Sequence, residues 1–470
     1  MVSPFTLCVL SLLLAILYRY VLLPAFISPL AKIPNAHYTS SISALWIRHR
    51  RRHGPNHRLL HALHQRLGPI IRLSPTEISV NSLDGLRAIY LGGFNRDPWY
   101  RLFENYGVPN LISFMDGREH ARQKRGISSV YSKSWLQGSS DLRVVGEKVV
   151  TGRFIPMLRA FAEEYEEGEG LELPILQNYG KGAAVDVLDL SQSVAMDMIS
   201  GYIFGSGTGT NFLQDVGQRR RWFGEYDIFK IQSPQERAGD PTEQSCIDMC
   251  KAAEEFLLKP GETDSEIKES RPVVYEQLAR HLTTLNGKIS KPNTPAIASE
   301  ILDHLIAGHE STGITLTYAL YELSLRPSLQ RQLRHELHSL SPPLLTTPHP
   351  LPTPRAIDAL PLLDAILQET LRLHPAVPAP QPRVTPYTNP PVVIEGYTIP
   401  GGTVVSSNAY TLHRNAAVFS EPEKWLPERW MDGDDEKRRE MKRWSWAFSS
   451  GGRMCVGSNF AVQSECIPST

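Results

Sequence analysis

Two groups of residues in this chain could do chemistry: a single thiol near the C-terminus and an acid–alcohol pair in the middle. Cys455 lies in Phe448-Ser-Ser-Gly-Gly-Arg-Met-Cys-Val-Gly457, where Gly451, Gly452 and Gly457 leave the backbone bare. Such glycines permit positive-φ turns and let a flat partner approach the main chain. Arg453, two residues ahead of the thiol, is a permanent cation that could reach an anionic group on that partner. A cation and open amide N–H groups lower a thiol's pKa and keep the sulfur anionic, as metal ligation requires. A lone cysteine is ordinarily a small apolar residue, and Gly-Gly ordinarily a turn. With Phe448 ahead of it, however, this glycine-cradled, arginine-flanked thiolate suits the ligand of a haem iron.

The second group is Ala307-Gly308-His309-Glu310-Ser311-Thr312, set inside the long apolar segment Ser299–Leu325. By composition this is a core helix with a tolerated polar patch, whose Gly, Glu, Ser and Thr weaken the local ladder and invite a bulge. A carboxylate followed directly by a hydroxyl also suits proton delivery, with Glu310 drawing on water and Ser311 positioning the proton. His309 is expected to face away from that chemistry.

The elements that must position these groups read as mostly helical. Helical periodicity runs through the middle of the chain, and strand islands fall at Ile70–Leu73, Glu77–Asn81 and Val392–Asn408. His53–Leu67 reads as an amphipathic helix. Glu163–Glu172 reads as an acidic surface loop, Arg219–Phe223 as an exposed helix end, and Ser341–Pro354 as a proline-rich internal loop. His120 and Lys124, four apart at a basic helix start, share one face. Glu369 and Arg372 form an i,i+3 pair of a kind found everywhere.

Lys plus Arg equals Asp plus Glu, 49 against 49, so no net field recruits nucleic acid. Five cysteines, at 8, 246, 250, 455 and 466, are too few for a disulfide framework. Cys246 and Cys250 lack zinc-spaced partners and read as buried thiols. At the N-terminus, a helix over Val2–Tyr18 is close to the minimum of roughly 17 residues for a membrane span. Tyr18, Arg19 and Tyr20 would then lie at the interface, followed by a non-helical connector carrying Pro24, Pro29 and Pro34. The first ten residues carry no Lys or Arg, while Lys32, Arg48, Arg50, Arg51 and Arg52 follow the span. That asymmetry predicts a retained anchor with the body of the protein cytosolic.

Phe-x-x-Gly-x-Arg-x-Cys-x-Gly fixes five identities over ten positions. It resembles the haem-ligand signature of the cytochrome P450 superfamily, the haem-thiolate monooxygenases, at every one of them. The resemblance implies a mostly α, prism-shaped domain with a small β region and one N-terminal transmembrane helix. Residues 1–28 would be the anchor, 29–52 the connector and 53–470 the catalytic domain. Cys455 would bind the iron of haem b, iron protoporphyrin IX, with Phe448 and Arg453 as part of the cofactor-binding loop. His120, Lys124 and Arg383 would meet the haem propionates, although Lys124 stands where the family usually has arginine. Glu310 and Ser311 would feed protons to dioxygen over the distal haem face, with serine where threonine is usual. Glu369, Arg372 and Arg429 would form a buried network fixing the loop behind the haem. Ala376–Pro382 would line the substrate pocket, and Arg219–Phe223 would be a substrate-access segment near the membrane.

The implied reaction inserts one oxygen atom from O2 into a small organic substrate, as in fungal secondary metabolism or detoxification. Electrons would come from NADPH through a separate reductase in the same membrane, the endoplasmic reticulum. A haem-thiolate isomerase or dehydratase would need neither the reductase nor the Glu310–Ser311 pair. After Gln463 the family continues a long helix and adds strands, whereas this chain reads Ser464 to Thr470 with Pro468 opposing helix continuation. On that reading the C-terminal part of the domain is incomplete, and a non-catalytic remnant is a further alternative.

Overall fold

A computed structural model describes residues 3–167, 185–237, 239–258, 269–284, 294–341 and 351–469. Its first helix, α1, runs over Pro4–Ile27, longer than the apolar run alone suggests. Ser3 caps it by accepting the Thr6 amide, and Pro4 occupies the first turn, where its missing N–H costs nothing. Past Leu17 the turns widen to π geometry over Tyr18–Ile27, which accommodates Pro24 inside the helix. Arg19 and Tyr20 therefore lie within the helical run rather than at its end, and Pro24 does not open the connector. None of α1 is buried, and it is long and apolar enough to cross a membrane.

The stretch that follows is not a loose spacer. Leu30 and Ile33 are buried against Ile70 and Ile78, and Ala36 and Ile47 against Leu60, Leu63 and Ile71. A proline-free segment within it forms α2 (Leu45–Arg52), held by burial of Ile47. The Arg72 guanidinium donates to the Pro24 carbonyl at 2.9 Å, tying the end of α1 to the sheet.

Helix α3 (Asn56–Leu67) buries Leu60, Leu63 and His64 and stops at Gly68, whose φ of +103° suits glycine. Strands β1 (Ile70–Ser74) and β2 (Glu77–Val80) pair antiparallel across the Ser-Pro turn. The other strands are β3 (Asn95–Arg96), β4 (Arg383–Val384), β5 (Val392–Ile394), β6 (Tyr397–Ile399) and β7 (Val404–Ser406). Five of them form one sheet in the order β1-β2-β7-β4-β3, and β5 and β6 form a separate hairpin. In the β3–β4 pair, Arg96 stands directly opposite Arg383.

The rest is helical: α4 (Gly117–Ile127), α5 (Val187–Phe204), α6 (Val216–Phe229), α7 (Pro241–Leu258), α8 (Thr294–Ser324), α9 (Pro361–Leu373) and α10 (Ser458–Ser469). The largest core cluster wraps α8, joining Ile297, Ile301 and Leu305 to Val194, Met198 and Tyr202 of α5. Helix α8 is unbroken, so the expected bulge is absent. The Ser311 hydroxyl donates to the Ala307 carbonyl at 2.7 Å instead of disturbing the ladder. Gly308 and Gly313 have another purpose. A Cβ at either would stand 2.8 Å from the Ile199 side chain or 2.9 Å from the Gln192 backbone, so they admit α5.

Three further expectations change. Arg219–Phe223 is no exposed helix end: it lies inside α6, with Arg219 and Trp222 buried and Arg219 paired to Asp189 at 3.2 Å. Glu163–Glu167 belongs to a helix over Ile155–Glu167, while 168–172 lies outside the described residues, as does 342–350 of the proline-rich stretch. The helix expected to stop near Gln463 runs to Ser469, with Pro468 in its last turn, where a missing N–H removes one bond only. Cys246 and Cys250 are buried, as expected.

Candidate functional site

The cysteine loop is held from behind by a buried carboxylate. Glu369 of α9 is wholly buried and takes the Arg372 side chain on both oxygens, at 2.7 and 2.8 Å. The same carboxylate accepts from Arg429 Nε at 3.1 Å, from the Trp430 indole at 2.9 Å and from the Leu426 amide at 2.8 Å. Arg372 spends its remaining donors on the carbonyls of His413, Pro422 and Lys424. Such full satisfaction is what lets a buried ion pair persist. His413 extends the network to the loop: its Nδ1–H donates to the Arg372 carbonyl, and its Nε2 accepts the Trp446 amide.

Beyond Trp446 the chain turns sharply. Ser449 has φ +62° and Gly451 φ +72°. A Cβ on Gly451 would stand 2.3 Å from the Tyr90 carbonyl, so only glycine fits there. Gly452 has nothing within 4 Å of where a Cβ would be, and its bare backbone borders a cavity. The Cys455 amide donates to the Phe448 carbonyl at 3.0 Å, closing the loop, and the residue itself is exposed. Phe448 packs on the main core. Lys124 of α4 clasps the loop, donating to the carbonyls of Gly452 at 3.1 Å and Met454 at 2.7 Å. Burial lowers the Lys124 pKa, and the Cys455 sulfur beside it pulls the other way.

The cavity, about 390 Å³, is lined by Tyr90, Phe94, His120, Arg383, Gly452 and Arg453 among others. Arg453 donates to the carbonyls of Phe114 (2.6 Å) and Met115, and Arg383 to the Tyr100 hydroxyl at 3.0 Å. Arg96 donates to the carbonyls of Leu111 and Ile112, leaving its buried Nε without a hydrogen-bond partner among the described residues. Burial pushes Arg96 down to about 9 and Arg453 to about 10, with Arg383 adding to both. His120 is pushed to about 3, first by burial and then by Arg453 and Arg96, so it is a neutral hydrogen-bonding group.

Like charges directly opposite across two strands repel. Arg96 and Arg383 nevertheless face each other, with Arg453 and Lys124 close by, and none of the four is ion-paired to a carboxylate among the described residues. Asp116, on the cavity wall, is used in capping α4. A flat group bearing two carboxylates and offering a metal to Cys455 fits this donor set, and a haem is such a group.

On α8, Ser311 keeps its hydroxyl accessible beside the exposed Ala307. Glu310 is partly exposed and its pKa is raised, first by burial, while the Tyr226 hydroxyl and Lys230 pull it back. Lys230 lies 4.0 Å from Glu310 and 2.7 Å from exposed Asp227, a charged chain leading to the surface. His309 turns away, buried among Trp222, Phe223 and Tyr226, with Nδ1 2.8 Å from the Leu305 carbonyl.

The structure thus brings Cys455, Arg453, Phe448 and Lys124 to one loop, and His120, Arg383 and Arg453 to one cavity. It brings Glu369, Arg372 and Arg429 to one network. Ala376–Pro382 leads into β4 with Val377 exposed. Sequence reasoning missed Arg96, Tyr100, His413 and Trp430. Arg96 sits in a two-residue strand that shows no alternation, and an isolated histidine in a turn gives no signal.

Comparison with known proteins agrees with this geometry. The chain is 27% identical over 416 residues to the cytochrome P450 monooxygenase avaI of Aspergillus versicolor, covering 85% of this chain and 92% of that one. It is 27% identical over 459 residues to the cytochrome P450 monooxygenase hkm5 of Aspergillus hancockii, covering 93% and 82%. A pisatin demethylase of Fusarium vanettenii is 25% identical over 459 residues, covering 94% and 84%. The family model described as Cytochrome P450 matches residues 38–465, and with it the chain belongs to the cytochrome P450 family, the haem-dependent monooxygenases.

Proposed function

We propose that Cys455, as thiolate, would hold the iron of haem b in this monooxygenase, and that Arg96, His120, Lys124, Arg383 and Arg453 would hold its two carboxylates. The observation that carries this is the cross-strand pairing of Arg96 with Arg383 beside the cysteine loop, a repulsion that a dicarboxylate removes. When bound, the haem supplies reductive activation of O2 and transfer of one oxygen atom to an organic substrate, the other leaving as water. Lys124, beside the sulfur, is the cation placed to favour its anionic form. Phe448 and the Glu369–Arg372–Arg429 network, extended by His413, hold the loop in register.

Glu310 takes protons from solvent by way of Lys230 and Asp227 and passes them to Ser311. Passing a proton on requires the Ser311 hydroxyl to release the Ala307 carbonyl, to which it now donates.

Residues 1–28 act as the membrane anchor, 29–52 as the connector and 53–470 as the catalytic domain, held on the cytosolic face of the endoplasmic reticulum. Electrons arrive from NADPH through a separate flavoprotein reductase. The fungal relatives, among them one named for demethylating pisatin, support a small organic substrate of secondary metabolism or detoxification. The test is turnover in microsomes carrying this chain with and without a P450 reductase. Product that requires NADPH and the reductase is expected. Product from a hydroperoxide alone, with none from NADPH, would overturn the reading in favour of an isomerase or dehydratase.

A further inference from the structure

Tyr131 is a buried phenol with a base at its hydroxyl. The hydroxyl lies 2.9 Å from His304 Nδ1, and His304 Nε2 lies 3.3 Å from Glu300 Oε1. Glu300 is itself fixed by accepting the Leu111 amide at 2.9 Å. All three side chains are buried. With the imidazole proton on Nε2, facing the carboxylate, Nδ1 accepts from the phenol, so the row runs one way from Tyr131 to Glu300. Packing alone would be served by hydrocarbon side chains, without the cost of burying three polar groups.

This row stands beside the cysteine loop. Asn459, in the first turn of α10, donates to the Tyr131 carbonyl at 3.1 Å, and the Phe460 ring meets the Tyr131 ring edge-on at 6.2 Å. The charge of Cys455 reaches the Tyr131 side chain. From there an aromatic path leads outward. Tyr202 of α5 meets Tyr131 with ring centroids 6.0 Å apart. The Trp135 indole lies at the Tyr202 hydroxyl, where it opposes the rise that burial imposes on that phenol's pKa. Trp135, in the short helix Lys133–Gly138, is 47% exposed. Phenols and indoles give up single electrons readily, and a phenol does so only when a base can take its proton.

Resting on the haem-ligand reading above, we propose that Tyr131 and Trp135 form an escape route for oxidising equivalents, used when peroxide reacts at the haem with no substrate bound. Tyr131 gives one electron toward the haem and its phenolic proton to His304 Nδ1. The Glu300 carboxylate stabilises the imidazolium so formed. An electron from Trp135, passing across the Tyr202 ring, then restores Tyr131, and its proton returns from His304. The oxidised indole sheds its N–H proton to water and recovers an electron and a proton from a soluble thiol. Two such passages supply two electrons, and the two protons shed to water balance the two that peroxide takes up. One peroxide thus becomes two waters, and two thiols become one disulfide.

The test uses the full-length, haem-loaded protein treated with hydrogen peroxide, without substrate or thiol, in the presence of a nitroso spin trap. Peptide mass spectrometry reads which residue carries the trap, and the Soret band reads the rate of haem bleaching. In wild type the trap is expected on Trp135. Tyr131→Phe should lose that adduct and bleach severalfold faster. His304→Gln, which keeps a hydrogen bond at the phenol but supplies no base, should also lose the adduct. Trp135→Phe should bleach faster while its carbon monoxide spectrum stays unchanged. A Trp135 adduct at wild-type level in Tyr131→Phe, or bleaching of wild type with no adduct on Trp135, would overturn the proposal. Should Tyr131→Phe fail to load haem, Trp135→Phe decides alone, and bleaching at the wild-type rate there would overturn it. A wild-type protein with no Soret band would instead sink the haem reading, so the two failures are distinct.

Discussion

His413 and Trp446 share the bond on which the cysteine loop turns: the Trp446 amide donates to His413 Nε2 at 2.7 Å. The opposite ring nitrogen donates to the Arg372 carbonyl at 2.9 Å, which fixes the neutral Nδ1–H tautomer. One buried imidazole thereby joins the Glu369 network to the loop that carries Cys455. Replacing His413 with alanine strands two buried backbone groups, at a combined cost of about 2–5 kcal/mol. Urea unfolding and the haem-to-protein absorbance ratio should both fall relative to wild type. Unchanged values in both would remove His413 from the account.

That bond also predicts a pH dependence. Burial holds the His413 pKa at about 3, with Arg372 and Arg414 adding to the depression, so the folded protein refuses a proton that the unfolded chain accepts below its ordinary 6.5. Its contribution is therefore complete above pH 6.5 and shrinks as pH falls toward 3, by roughly 1.4 kcal/mol per pH unit. Comparison with His413→Gln cancels the other titrating groups. The stability advantage of wild type over the variant should be largest at neutral pH and narrow on acidification. A constant difference between pH 7 and 4 would show that His413 is not held neutral.

Glu369 anchors a larger set of donors. Glu369→Ala leaves Arg372, Arg429 and the Trp430 indole facing an empty, fully buried position. Breaking one partner of such a network costs roughly 3–5 kcal/mol. The variant should be recovered without haem rather than as a slow enzyme, and a holoprotein of normal haem content would contradict this.

How much of this was legible in the sequence follows from how local each feature is. The cysteine loop was readable because its identities are fixed within ten consecutive residues. The Glu369–Arg372 pair was visible as helical spacing, and Arg429 became its partner only through the family pattern. Arg96 was invisible because its meaning comes from standing opposite Arg383, 287 residues along the chain, in a two-residue strand. His413 was missed for the same reason: nothing nearby in sequence distinguishes it from any other turn histidine. The misplaced end of α1 came from reading Tyr18, Arg19 and Tyr20 as the interface and Pro24 as part of the connector, when π turns carry the helix on to Ile27.

Ser311 carries a hydroxyl without the methyl that restricts threonine to few rotamers, and here it donates to the Ala307 carbonyl. A more mobile hydroxyl delivers protons less reliably, so some reduced oxygen should escape as peroxide. Ser311→Thr should lower the peroxide released per NADPH consumed. Equal leakage from the two proteins would show that the missing methyl does not matter.

The most direct measurement is the carbon monoxide difference spectrum of the reduced full-length protein beside its Cys455→Ser variant. Wild type should give the red-shifted band of a thiolate-ligated haem, and the variant should lose it. The same band in Cys455→Ser would mean that another residue ligates the iron and that the loop around Cys455 was misread.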